Sequence, residues 1–219
     1  MAISKFNYNS FNVTPVAGKA LAFNSDADGF STAGASSMVL IKTLTASSDS
    51  TISFVHGSNG VVLDSTYPIY LIKYINIHGS VNNFDFGFNF SVDTGSNYNV
   101  AKTTTYFRAY HTEAGASGFG YRTDNDLAQG TGRQNIIKDM QNENDNSGSG
   151  EMYLFNPSST TFVKHFMAKN FSIQNAAVGK NAFIAGYGNT TSAIDAIQFS
   201  AAGDNIDSGT FKLYGIKDS

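Results

Sequence analysis

From Phe84 the chain reads FDFGFNFS, with Phe84, Phe86, Phe88 and Phe90 alternating with Asp85, Gly87, Asn89 and Ser91. Period two places the rings on one side of an extended strand, whereas a helix would scatter them around its circumference. The preceding PIYLIKYINIHG is apolar on both faces: Ile69, Leu71, Ile75 and Ile77 alternate with Tyr70, Ile72 and Tyr74. That pattern predicts a central strand covered on both sides, with Pro68 near its start, where a missing N–H is tolerated. TTTYFRAYH predicts another strand, with Thr105, Phe107 and Ala109 on one side and Tyr106, Arg108 and Tyr110 on the other.

Turn residues set the boundaries. STISFVHGSNGVVLD reads as two strands joined by a Gly57–Gly60 turn, with Asn59-Gly60 supplying positive φ. EMYLFNPSSTTFVKHFM reads as a hairpin in which Pro157 pre-sets the turn; Phe162 and Phe166 fall on one face of the returning strand, Val163 and Met167 on the other. RQNIIKDMQ fits one helical turn or a short strand, and ENDNSGSG, from Glu143, has the composition of a mobile surface loop. TSAIDAIQF fits a short helix or a strand, with the strand favoured in its second half because the turn-like GDNIDSG follows. Phe211–Ile216 then alternates and is expected to close a hairpin with Ile197–Ser200.

These segments have the turn spacing of sandwiches and barrels. The expected fold is all-β: one domain over residues 1–219, a jelly-roll-like antiparallel sandwich of two sheets with at most one or two short helical turns. Residues 1–15 read either as an N-terminal arm, with Phe6, Tyr8 and Phe11 packing on a neighbour, or as a first strand of the sandwich.

Composition agrees with this reading. Charged residues are 14% of the chain, against roughly 25% in ordinary soluble domains. Asn, Ser, Thr and Gly supply the polar surface instead, and they favour turns over helix. The net charge of −3 comes with thinly spread Lys and Arg, so no basic field for nucleic acid is expected. With no cysteine, disulfides, thiolate chemistry and Cys-based zinc sites are excluded. No run approaches the ~18 apolar residues of a membrane helix. MAISKFNYNSF lacks a secretory pattern, so synthesis in a cytoplasm is expected, and the N-x-S/T triplets at Asn12, Asn89, Asn170 and Asn189 carry no glycosylation meaning there.

Catalytic signatures are sparse. His56, His78, His111 and His165 stand at no metal-ligand spacing; His56 and His78 become neighbours only if their strands pair, and two imidazoles make a poor zinc site. Acidic clusters at Asp26/Asp28, Asp124/Asp126 and Glu143/Asp145, with Asp204 and Asp207, lie in predicted loops, where turn capping is the commoner role and calcium the rarer one. GASGFG lacks the GK[ST] of a phosphate loop and reads as a hairpin tip; GxSxG is absent. No catalytic residue, metal or cofactor is expected. Tyr106, Tyr110, Tyr121 and Tyr187 offer rings for sugar stacking, set against the commoner role of strand aromatics.

GEMYLFNPSSTTFVKHF, GYGNTTSAIDAIQFS and GDNIDSGTFKLYGI together resemble a pattern recurring in small virion proteins of marine bacteriophages. Those proteins carry a hairpin of the YLFNPSSTTYVKHF kind, then TSAINAI, then GNIDSGTIKLYGV. The resemblance covers Gly150 to Ile216 and is fainter over Tyr74–Asn99. It departs at RQNIIKDMQNENDN, which is longer and more polar and reads as an insertion. It implies a jelly-roll-like sandwich and a place on the virus particle, and hands over no site residues. The expected function is therefore a structural virion protein, first a capsid decoration or cement protein. Its partners would be the major capsid protein or tail proteins and further copies of itself, with no nucleic acid or membrane. The competing reading is a tail-associated adhesin that binds a glycan; a sugar-cleaving enzyme ranks last.

Overall fold

The computed structural model describes residues 21–23, 30–32, 37–174 and 178–217, and the chain divides into two compact units, residues 1–39 and 40–219. The expectations for residues 1–15, including Phe6, Tyr8 and Phe11, and for Asp26 and Asp28, lie outside the described residues. In the first unit, β1 (Leu21–Phe23) and β2 (Phe30–Thr32) pair antiparallel, and the rings of Phe23 and Phe30 stack 5.0 Å apart.

From Met38 onward the strands are β3 (Met38–Asp49), β4 (Thr51–Val55), β5 (Ile69–Gly79), β6 (Phe84–Ser91), β7 (Lys102–Thr112), β8 (Ser117–Tyr121), β9 (Gln134–Met140), β10 (Gly148–Phe155), β11 (Lys164–Gln174), β12 (Val178–Gly188), β13 (Ala196–Ala201) and β14 (Ile206–Ile216). The described residues contain no helix. The fold is all-β and antiparallel, a sheet of 12 strands. One run is β3-β14-β5-β10-β11-β12-β7-β8; another is β9-β6-β13-β4. The pair Gln174–Met140, between β11 and β9, links the two.

The alternation at FDFGFNFS decides the core. Phe84, Phe86, Phe88 and Phe90 are all fully buried. Phe86 meets Tyr74 of β5 at 5.8 Å, Phe199 of β13 at 5.7 Å and Phe211 of β14 at 5.9 Å, and Phe88 meets Phe166 of β11 edge-on at 5.0 Å. The inward rings of β6 and β13 thus face those of β5, β11 and β14. Tilted and edge-on contacts of this kind each add about 0.5–1.5 kcal/mol beyond the area they bury.

Strand β5 is central, flanked by β10 and β14. Its two faces are unequal: Tyr70, Ile72 and Tyr74 are fully buried, whereas on the other face Leu71 is buried but Ile75 is exposed. Asn76 takes a positive φ of 52°, and the ladders on either side shift register nearby. This irregularity returns Ile77 to the buried side with Tyr74 rather than leaving it beside Ile75.

Three expectations need correction. First, VVLD after the Asn59-Gly60 turn forms no strand; Val61 and Leu63 are buried in a loop. Its backbone is held by side chains, with Leu63 N donating to His56 Nδ1 at 3.1 Å and Asp64 N to Tyr70 Oη at 2.9 Å. Second, β13 and β14 do not form a hairpin. Both sides of β13 are taken by β4 and β6, and β14 leaves to pair with β5. Third, Phe162 does not share the face of Phe166. It sits in the loop before β11, 70% exposed, while Phe166 is buried. The hairpin itself forms, with Leu154 opposite Phe166 and Ser159 N bonded to Asn156 O at 3.1 Å.

The two ambiguous segments are strands β9 and, over its second half, β13. The loop expected over Glu143–Gly150 ends early, because Gly148 already belongs to β10. A Cβ at Gly148 would lie 2.3 Å from Ile137 Cδ1, so this glycine permits close packing rather than loop freedom.

Candidate functional site: an uncovered aromatic sheet face

The registers define the face of the longer run that points away from the core. One row reads Lys212, Lys73, Glu151, Lys169, Phe183, Phe107 and Tyr121 across β14, β5, β10, β11, β12, β7 and β8. The next reads Tyr214, Leu71, Tyr153, Met167, Ala185 and Thr105. A third carries Ser149, Phe171, Asn181, Ala109 and Phe119.

Strand β11 shows why the sequence builds this face. KHFMAKNFSIQ buries Lys164, Phe166, Ala168, Asn170 and Ser172 and turns His165, Met167, Lys169 and Phe171 to solvent. Met167 and Phe171 are each 56% exposed, Phe119 74% and Tyr121 51%. A half-solvated strand ordinarily places polar groups on the open side, and here rings and a thioether stand there instead.

The rings are ordered. Phe107 and Phe183 stack at 5.1 Å with planes 12° apart, and Phe119 meets Phe107 at 5.6 Å. Tyr121 Oη donates to Asp126 Oδ2 at 2.5 Å, and Tyr153 stacks on Phe155 at 6.3 Å. A shallow hollow of about 320 Å³ lies among Phe107, Tyr153, Met167 and Phe183, with the ion pair Lys169 Nζ–Glu151 Oε1, 3.0 Å, at its rim. The Glu151 carboxylate raises the pKa of the Lys169 ammonium. This face can bind an apolar or aromatic surface.

The four tyrosines singled out in the sequence do not form one platform. Tyr106 is fully buried on the core side and offers no ring to solvent. Tyr110 also lies on the core-side face of β7, its ring against Gly118 and beneath the Arg108 guanidinium at 5.9 Å. Tyr121 and Tyr187 do reach the outer face, opposite Phe107 and Thr103 respectively, in separate rows. Sequence reasoning missed Tyr153, Phe183 and Met167 as members of one surface. The alternation within each strand was visible, but the pairing order that brings β10, β12 and β7 together was not.

Several of the histidines and acids have local partners. β4 and β5 are not paired, so His56 and His78 do not meet on neighbouring strands. His78 Nδ1 lies 3.3 Å from Asp207 Oδ2, and Ser48 Oγ donates to the other Asp207 oxygen at 3.1 Å. Asp124 pairs with Arg122 at 2.6 Å, which holds its carboxyl below the usual range. Among the described residues no group of three metal-ligating side chains could hold an ion.

Three lysines are buried on the core side. Lys102 Nζ donates to Asn89 Oδ1 and, at 3.0 Å, to Val100 O; Lys164 Nζ donates to Phe162 O at 2.7 Å; Lys180 Nζ donates to Lys138 O. Burial lowers the pKa of Lys102 and of Lys180 to about 8. These amines tie loops and strands together through neutral oxygens, without carboxylate partners among the described residues.

No protein-family model and no curated protein sequence matches the chain. A solved structure titled "Structure of infectious bursal disease virus Gx strain" aligns at 14% identity and a TM-score of 0.13, over 91% of this chain and 46% of that one. The chain thus spans less than half the length of that viral chain.

Proposed function

We propose that the chain is a structural protein of a bacteriophage particle that decorates or cements the shell through protein–protein contacts. The reading takes the fold as a jelly-roll-like sandwich, with β9-β6-β13-β4 as the smaller sheet. The single Gln174–Met140 link and the opposed core rings support it. The observation that carries the function is the uncovered aromatic face around Phe107, Met167, Phe171 and Phe183. Apolar patches of this kind mark surfaces that another protein covers. The likeness of Gly150–Ile216 to phage virion proteins supports the particle as the setting, with shell or tail proteins as partners and repeated copies multiplying a weak contact. In this reading the chain has no catalytic role and needs no cofactor, nucleic acid or membrane.

The direct experiment is to locate and count the chain in washed, intact particles. Many copies at shell positions support decoration; absence from the particle contradicts it. A second reading, a tail adhesin for a host glycan, draws on the hollow at Tyr153 and Phe183 beside Glu151 and Lys169, where rings and charged hydrogen-bonding groups converge. A few copies at the tail, with a melting shift on adding host polysaccharide, would favour it.

A further inference from the structure

Strand β8 ends the longer run, and among the described residues it pairs with β7 alone. Its ladder phase is fixed at both ends. Thr112 N donates to Ala116 O and Arg122 N to Tyr106 O, each at 2.8 Å. The even-numbered residues therefore bond to β7, and Ser117, Phe119 and Tyr121 turn their N–H and C=O groups outward. An edge of this kind is a template for another strand, and proteins ordinarily blunt it with Lys, Pro, a bulge or a covering segment. SGFGY contains none of these residues, carries no charge, and pairs with β7 in unbroken register.

The side chains favour a second copy of the same edge. Ser117, Phe119 and Tyr121 lie together on the outer face, and between them Gly118 and Gly120 present no side chain on the core-side face. An antiparallel mate centred on Phe119 sets Phe119 against Phe119 and Ser117 against Tyr121, so every outward backbone group finds a partner. A register slipped by two residues leaves outward groups unpaired at each end. The centred register also places the ring of Phe119, otherwise largely in water, beside its twin and continues the outer-face rows into the second molecule.

We propose that β8 is a dimerisation edge: two copies of the chain join antiparallel through Ser117–Tyr121 about a two-fold axis at Phe119, making one continuous sheet. The contact is isologous and closes after two copies, so it does not by itself build a fibre. It does not rest on the virion reading, because it follows from β8 alone.

The test uses the full chain. Sedimentation velocity up to about 100 μM should show a reversible dimer, with Phe119→Lys weakening association at least about tenfold and leaving the β-sheet circular dichroism intact. Because the chain has no cysteine, Phe119→Cys is a clean second probe. On mild oxidation it should give a covalent dimer much faster than Phe162→Cys, which places a thiol in the exposed loop before β11. A chain monomeric throughout that range overturns the proposal, including the case in which β8 pairs only with a strand of a different protein. So does a dimer indifferent to Phe119→Lys. If Phe119→Lys fails to fold, Phe119→Cys decides alone, and cross-linking no faster than Phe162→Cys rejects the edge.

Discussion

Lys180 Nζ in β12 donates to the backbone carbonyl of Lys138 in β9, joining the two strand runs through a buried amine. A charge buried against neutral oxygens is poorly compensated. Lys180→Met keeps an unbranched side chain, one atom shorter, and removes the charge at the loss of one hydrogen bond. Urea denaturation at pH 7 should show a gain of about 1–2 kcal/mol.

The same burial fixes a pH window. Lys102 and Lys180 have folded pKa values of about 8, below the ordinary 10.5, so between these values the unfolded chain holds protons that the folded chain has released. Stability therefore rises with pH from about 8. The buried phenols oppose it higher up. Desolvation pushes Tyr70 and Tyr106 up to about 12 and raises Tyr74 further, so above pH 10 the unfolded chain loses protons that the folded chain keeps. Melting temperature should climb from pH 8 to a maximum near pH 10 and then fall. A flat profile through this range would contradict the burial of these groups.

Phe86 touches rings from three other strands and is fully buried. Phe86→Ala should cost about 3–5 kcal/mol in denaturant unfolding. Phe162→Ala, in the exposed loop before β11, should change stability by less than about 0.5 kcal/mol. Equal costs would mean that the alternation in FDFGFNFS does not define the core.

The contrast between those two phenylalanines also shows what the sequence made legible. Period-two alternation identified the inward rings of β6, and the turn residues around Pro157 identified the β10–β11 hairpin, because side-chain direction and turn chemistry are local properties of the chain. Partner choice is not local. Nothing in TSAIDAIQF or TFKLYGI tells that β4 and β6 occupy both sides of β13, which sends β14 to β5. The outer face was hidden for the same reason: Tyr153, Met167, Phe183 and Phe107 are far apart in the chain and become one surface only through the pairing order. Ile77 was misplaced because a single positive-φ residue, Asn76, resets the alternation.

That position makes its own prediction. Asn tolerates a left-handed backbone and β-branched residues do not. Asn76→Gly should be neutral within about 0.5 kcal/mol, while Asn76→Val should cost about 1–3 kcal/mol. Thermal melts of the two variants separate a required irregularity in β5 from an incidental one.

In the proposed function, the aromatic face of β10, β11, β12, β7 and β8 is covered on the particle. Methionine oxidation footprinting reads this directly, because Met167 stands 56% exposed on that face while Met140 and Met152 are fully buried in the core. In the isolated chain Met167 should oxidise readily and the two core methionines slowly. On intact particles Met167 should become as slow as they are. Undiminished oxidation of Met167 in particles that contain the chain would contradict the assignment of this face.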